Sequence, residues 1–282
     1  METIGAFDSQ FIPSDLSGYQ LLLQVSSSSL SYAVFDKNDK TFKGLKLYLL
    51  DNDNQSEIKQ SIQNILAEDP MLLLNYTDVR IQYESFRAML VPASLFDSKN
   101  LKSFLKFHHD VDDKDQIYFV ESRSAEAFVI FSIPLYIEET IGKLYANVCY
   151  AHHSVPFINK AIKNDSLEVV PCLHIHFSNN FFDILIIRNG KIQLCNSFFY
   201  KKHSDVIYFI SNILNLFSLT PDIIKVILSG EIEASSDVLS EMQKIFKNMQ
   251  FEQYDYEYKY SGAMMALPQH KFVNLLNLVN CE

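Results

Sequence analysis

Few residues in this chain are spaced for chemistry. Cys172, His174 and His176 alternate within one apolar segment. If that segment is a strand, its two-residue period turns all three to one face. Two imidazoles and a thiolate are zinc-type donors, so His174 and His176 are weak metal candidates. The competing role for histidines on a buried strand is hydrogen bonding within the core, and His152-His153 carries the same ambiguity with less support. His108-His109-Asp110, with Asp112, Asp113 and Asp115, matches no closed zinc spacing. It also lacks the glycine and terminal glutamate of a calcium loop, so it reads as a solvated acidic loop. Leu228-Ser229-Gly230 lacks the first glycine of a hydrolase nucleophile elbow. Tyr254-Asp255-Tyr256-Glu257-Tyr258-Lys259-Tyr260 alternates aromatic with charged residues and predicts a half-exposed strand with one aromatic face. Such a face could stack bases, but Asp255 and Glu257 would oppose the phosphates. Packing, or an aromatic edge for protein contact, fits it better.

Composition narrows the classes further. The chain has 282 residues and only 7 glycines, where average usage of about 7% would give roughly twenty. Glycine lets a backbone close over a phosphate because it has no Cβ to clash, so a glycine-rich nucleotide loop is nearly excluded. Hydrophobic residues make up 48% and charged residues 21%, enough for a sizeable core. The net charge of −10 argues against nucleic acid or an anionic membrane as partner. Met1-Glu2-Thr3-Ile4 has no basic, apolar leader pattern. The apolar stretch Ala127 to Ile137 is interrupted by Ser132 and Pro134 and is too short to span a bilayer. Cys149, Cys172, Cys195 and Cys281 show no Cys-x-x-Cys spacing and read as free thiols in a reduced compartment. The expectation is a cytoplasmic protein without membrane insertion.

The elements that would position these residues follow a repeated pattern. Tyr19 to Val25, Leu30 to Phe35 and Phe42 to Leu50 read as three strands, followed by a helix with Ile58, Ile62, Ile65 and Leu66 on one face. Leu173 to Phe177, Phe181 to Ile187 and Lys191 to Tyr200 repeat the three strands, with Asn189-Gly190 as a hairpin turn. A helix from Ser204 to about Phe217 follows. Laying Gln24 on His176 puts Ser26 on Ser178 and Asn38 on Gly190 without a gap. Mixed α/β segments follow each unit: strands at 79–83, 87–91, 116–122, 127–133 and 146–150, and helices over 95–108 and 136–145. Later come a strand at Ile223 to Leu228, a helix capped by Ser235 or Ser236, and a helix over Phe272 to Val279. Two similar βββα units imply two similar halves.

A duplicated βββα unit followed by further α/β elements resembles the actin-like ATPase fold. That fold consists of two ribonuclease-H-like βββαβα halves with mixed α/β sheets and a cleft between them. Val226 to Leu228, Ser229-Gly230, Glu231-Ile232 and the helix after them resemble that superfamily's adenosine-motif strand and turn. Tyr260-Ser261-Gly262-Ala263-Met264-Met265-Ala266-Leu267, with Val273-Asn274-Leu275-Leu276, is similar to the end of actin-like proteins from pilus assembly and secretion. The whole chain also resembles a Bacteroidetes-type family of unknown function with this fold. The resemblance implies halves at residues 1–150 and 151–282, a bacterial source and an internal duplication.

It also implies where a nucleotide would sit, and those positions depart from the pattern. Active proteins of the fold carry Asp-x-Gly hairpins whose carboxylates hold hydrated Mg²⁺ and whose glycines admit phosphate to the backbone. The hairpins here read Gln24-Val25-Ser26-Ser27 and His176-Phe177-Ser178, and the adenosine turn keeps half of its glycine pair as Ser229-Gly230. Tyr19 to Val25 also lacks the first-strand aspartate of a ribonuclease-H-type nuclease. The expectation is a pseudoenzyme: a catalytically silent binding or assembly module for an unidentified protein partner, with no cofactor. Its ligand site would be the cleft near Gln24, Ser26, Ser27, Ser28, His176, Ser178, Asn179, Asn180, Ser229 and Gly230. The alternative is a nucleotide-binding ATPase or kinase using ATP and Mg²⁺, with carboxylates delivered from Asp8, Asp15 or Asp183.

Overall fold

The computed structural model describes residues 3–7, 11, 15–50 and 54–281. A first sheet is built from β1 (Thr3–Phe7), β2 (Tyr19–Val25), β3 (Ser29–Asp36) and β4 (Thr41–Leu49). Helix α1 (Gln55–Glu68) leads to β5 (Val79–Tyr83). An insertion then forms a three-stranded antiparallel sheet of β6 (Ala88–Pro92), β7 (Gln116–Ser122) and β8 (Ala127–Ile133), with α2 (Leu101–His108) against it. A single turn, α3 (Leu135–Ile137), precedes β9 (Val148–His152), which returns to the first sheet. Helix α4 (Ser154–Asp165) leads to the second sheet: β10 (Cys172–Phe177), β11 (Phe181–Arg188), β12 (Lys191–Phe199), α5 (His203–Leu216), β13 (Lys225–Gly230), α6 (Asp237–Ile245) and β14 (Asn248–Phe251). Strand β15 (Lys259–Tyr260) and helices α7 (Gly262–Met265) and α8 (Gln269–Asn277) complete the order.

The two larger sheets share one topology. The first runs β4-β3-β2-β5-β9, and the second β12-β11-β10-β13-β14. In each, the first three strands are antiparallel hairpins and the last two join in parallel. Even the irregularities match. The register slips between Val34 and Phe35 in one sheet and between Ile186 and Ile187 in the other, at the offset that lays Gln24 on His176. Both β2 and β10 are buried on almost every residue, as expected of strands covered on two faces. The cover between the sheets comes from α4, packed on β10 and β11, and α8, packed on β13, β2 and β3.

Three segments differ from the sequence reading. The tyrosine run 254–260 forms a strand only at Lys259–Tyr260, which pairs in parallel with β4. Asp255 turns inward to Lys160 at 3.2 Å and Lys163 at 2.9 Å, and it caps the turn at Glu257. A carboxylate held by two ammonium groups fixes a turn that an extended strand would break. Tyr254 and Tyr260 stack at 4.6 Å, and Tyr260 stacks on Phe42, so these rings are packing. Tyr256 alone projects, at 90% exposure. Helix α2 starts at Leu101 rather than 95, because Asp97 accepts from the Lys99 and Asn100 side of the preceding turn. Only one helical turn forms near Tyr136, running into a π-turn at Glu138–Gly142.

Candidate functional site

The polar hairpins of the two sheets face each other across a cavity of about 330 Å³. Ser26, Ser27 and Ser28 line one side, and Ser178, Asn179 and Asn180 the other. Each turn closes with the same bond, Ser26 N–H to Ser29 O and Ser178 N–H to Phe181 O, both at 2.9 Å. Gln24, His176, Ser229 and Gly230 do not line this cavity. Gln24 lies behind it, donating to Glu84 Oε2 at 2.8 Å. His176 and Ser229 bond to each other at 2.9 Å and are buried. Gly230 has φ +84°, and a Cβ there would meet the Phe177 carbonyl oxygen at 2.1 Å, so its role is backbone geometry.

Serines also occupy some of the donors that an anion would use. Ser26 Oγ accepts from the N–H of Ser28 at 3.1 Å and of Ser29 at 2.9 Å. In a phosphate-binding hairpin such N–H groups point at the ligand. The Ser178 hydroxyl donates instead to Glu84 Oε1. No lysine or arginine is among the lining residues.

Two carboxylates missed by the sequence reading stand in the cleft. Glu84 follows β5 and Glu231 follows β13, the fourth strand of each five-strand set. Their N–H groups donate to the last residue of the first strand, Glu84 to Val25 O at 2.8 Å and Glu231 to Phe177 O at 2.7 Å. They are structural counterparts in the two sheets. Each is the first polar residue past a parallel strand, beside the switch in strand order where α/β sheets place ligands; that position was the signal available in the sequence. Glu231 is exposed and pairs with Lys271 at 2.7 Å. Glu84 is buried, and burial pushes its carboxyl above the usual range despite relief from His153 and Ser178.

Of the carboxylates named as alternatives, Asp15 and Asp183 do not line the cleft. Asp8 lies outside the described residues. Asp15 is exposed and bonds Ser17. Asp183 is buried, accepting from Ser197 Oγ and pairing with His153 Nε2 at 2.6 Å. The metal candidates also have other partners. His174 Nε2 meets Asp165 at 2.5 Å and His176 meets Ser229. Burial pulls His176 down to about 3, so its ring is neutral. Among the described residues, no group of three or more His, Cys, Asp or Glu side chains is arranged to hold a metal ion. His109 bonds the Ala88 carbonyl at 3.0 Å, and Asp113 pairs with Lys102 and Lys106 on the surface.

Residues 8–249 match the DUF3822 family, described as a protein of unknown function. The chain belongs to that family. Its fold is that of the actin-like ATPases. A Bacteroides thetaiotaomicron protein with actin-like ATPase fold and unknown function aligns with a TM-score of 0.77 and 17% identity, over 95% of this chain and 97% of that one. The PilM-PilN type IV pilus biogenesis complex aligns with a TM-score of 0.65 and 10% identity, over 93% and 97%. No curated protein matches the sequence. Among the described residues of this DUF3822 chain, no helix is long and apolar enough to cross a membrane.

Proposed function

We propose that this protein is a catalytically silent actin-like scaffold, working in the bacterial cytoplasm as a binding or assembly module for a protein partner. One observation carries the reading: the hairpin N–H groups at Ser28 and Ser29 are already bonded to Ser26 Oγ. A phosphate would have to displace that bond in a cleft lined by two glutamates and by no lysine or arginine. Such a cleft disfavours a bare polyphosphate. The proposal has no nucleotide cofactor, and it treats Ser26–Ser28 and Ser178–Asn180 as the ligand-facing residues. A protein partner is supported by likeness to PilM, which is solved in complex with PilN. The −10 charge supports a partner other than nucleic acid. The matched sheet topologies support an internal duplication, but the expected division at 1–150 and 151–282 would cut β9, which belongs whole to the first sheet, so the copies are better read as the two sheets, with the last helix packed on both.

The alternative, a nucleotide-dependent ATPase or kinase, is favoured by the same two carboxylates, since Glu84 and Glu231 could carry Mg²⁺ into the cleft. Calorimetry and thermal shift with ATP, with and without Mg²⁺, separate the readings. The scaffold reading expects no saturable heat and an unchanged melting temperature. A ligand at a hundred times its Kd would stabilise by about 2.7 kcal/mol, and such a Mg²⁺-dependent shift would overturn it.

A further inference from the structure

The wall at the back of the cleft is made of polar and titratable groups contributed by both sheets. Glu84 and His153 come from the ends of β5 and β9; Ser178 and Asp183 come from the β10–β11 hairpin and β11. Ser178 Oγ donates to Glu84, and His153 Nε2 lies 2.6 Å from Asp183 Oδ2. Asn274 of α8 ties in by donating to the His153 carbonyl at 2.9 Å. A second cavity of about 470 Å³ is lined by Asp183 and Ser197 together with Phe86, Phe199 and His152. The same few side chains therefore line two cavities and join two sheets.

We propose that Glu84, His153, Ser178 and Asp183 form a proton-operated latch that holds the two halves together and sets how far the cleft opens.

Glu84 meets Gln24 of β2, Ser178, His153, Asp183 and Glu231, the last neutralised by Lys271 at 2.7 Å. His153 meets Asp183, Glu84, the neighbouring His152 ring at 4.3 Å and the His176 ring at 5.7 Å. His176 is spoken for by Ser229, and His152 by Ser154 and the Ser85 carbonyl, so neither serves as a metal ligand. Burial alone would lower His153, but Asp183 and Glu84 outweigh it, and its net shift is upward. Glu84 is also shifted upward. The joined state thus prefers both groups protonated, and it weakens as pH rises through their titration. Burial acts oppositely on His152 and His176, favouring their neutral rings. The joined state therefore also weakens as pH falls below the ordinary 6.5. The latch is tightest at intermediate pH and loosens on both sides. It operates whichever ligand the cleft takes.

The test measures the opening directly in the full chain. Spin labels go on Ser27→Cys and Asn179→Cys, one on each lip, with Cys149 and Cys195 replaced by serine. Pulsed dipolar distances are read from pH 5 to 9. The expected result is a narrow distribution near pH 6.5 that widens toward pH 9, with the alkaline widening reduced in Glu84→Gln. An unchanging distance across the range overturns the latch, as does an identical profile in the variant. Histidine side-chain NMR of the unaltered protein is independent of any variant's folding. A His153 ring still charged above pH 6.5 supports the latch, and a ring neutral at pH 6.5 overturns it.

Discussion

At the scale of single residues, the cleft is organised by hydrogen bonds that its own side chains complete. Ser178 donates a hydrogen bond to the buried Glu84 carboxyl, so Ser178→Ala leaves Glu84 short of a donor. The expected cost is roughly 1–3 kcal/mol, read as a lower urea midpoint with an unchanged slope. Breaking the buried His153–Asp183 pair is more severe. Asp183→Ala strands a charge, and loss of one partner of a buried pair costs roughly 3–5 kcal/mol. Acid stability follows from His176. Its folded value of about 3 lies below the ordinary 6.5, so its contribution is full above 6.5 and is lost as pH falls toward 3. His176→Asn should flatten that part of the stability–pH curve, measured by chemical denaturation at each pH; a curve unchanged between pH 6.5 and 3 would contradict the assignment.

At the scale of elements, the strand ends decide the site. Gly230 ends β13 with positive φ and no room for a Cβ beside the Phe177 carbonyl. Gly230→Ala is expected to destabilise by at least about 1–3 kcal/mol. Gly262, which opens α7 with nothing within 4 Å of its Cβ position, is the control. Gly262→Ala should be neutral or slightly stabilising, and equal losses at both positions would show that backbone strain is not what Gly230 relieves. The hairpins were legible because their signals are local. Asn189-Gly190 takes φ of +53° and +69°, as a tight right-twisting hairpin requires. Glu84 and Glu231 were not legible as a pair, because their equivalence depends on β5 and β13 lying beside β2 and β10. No spacing along the chain records that neighbour relation. The tyrosine run misled for a related reason: its alternation fits a strand, while Lys160 and Lys163 on distant α4 make Asp255 turn.

At the scale of the molecule, the C-terminal segment binds the sheets together. Helix α8 buries Phe272, Val273, Leu275 and Leu276 and packs on β13 as well as on β2 and β3. Arg80 of β5 donates to the carbonyls of Leu278 and Val279 just beyond it. A chain ending before Lys259 would expose apolar faces of both sheets. It is expected to bind a hydrophobic dye and to lose a single cooperative melting transition; retention of one sharp transition would show that the two sheets are coupled without α8.

The sequence by itself determined the repeated three-strand unit, the hairpin turns and the departure of both phosphate hairpins from the Asp-x-Gly pattern. Those features rest on residue type and near-neighbour spacing, which period and turn chemistry expose directly. Tertiary structure alone decided that two glutamates enter the cleft and that His153 and Asp183 join the two sheets. Each of these depends on groups brought within hydrogen-bonding distance from different strands, and burial then sets their charge.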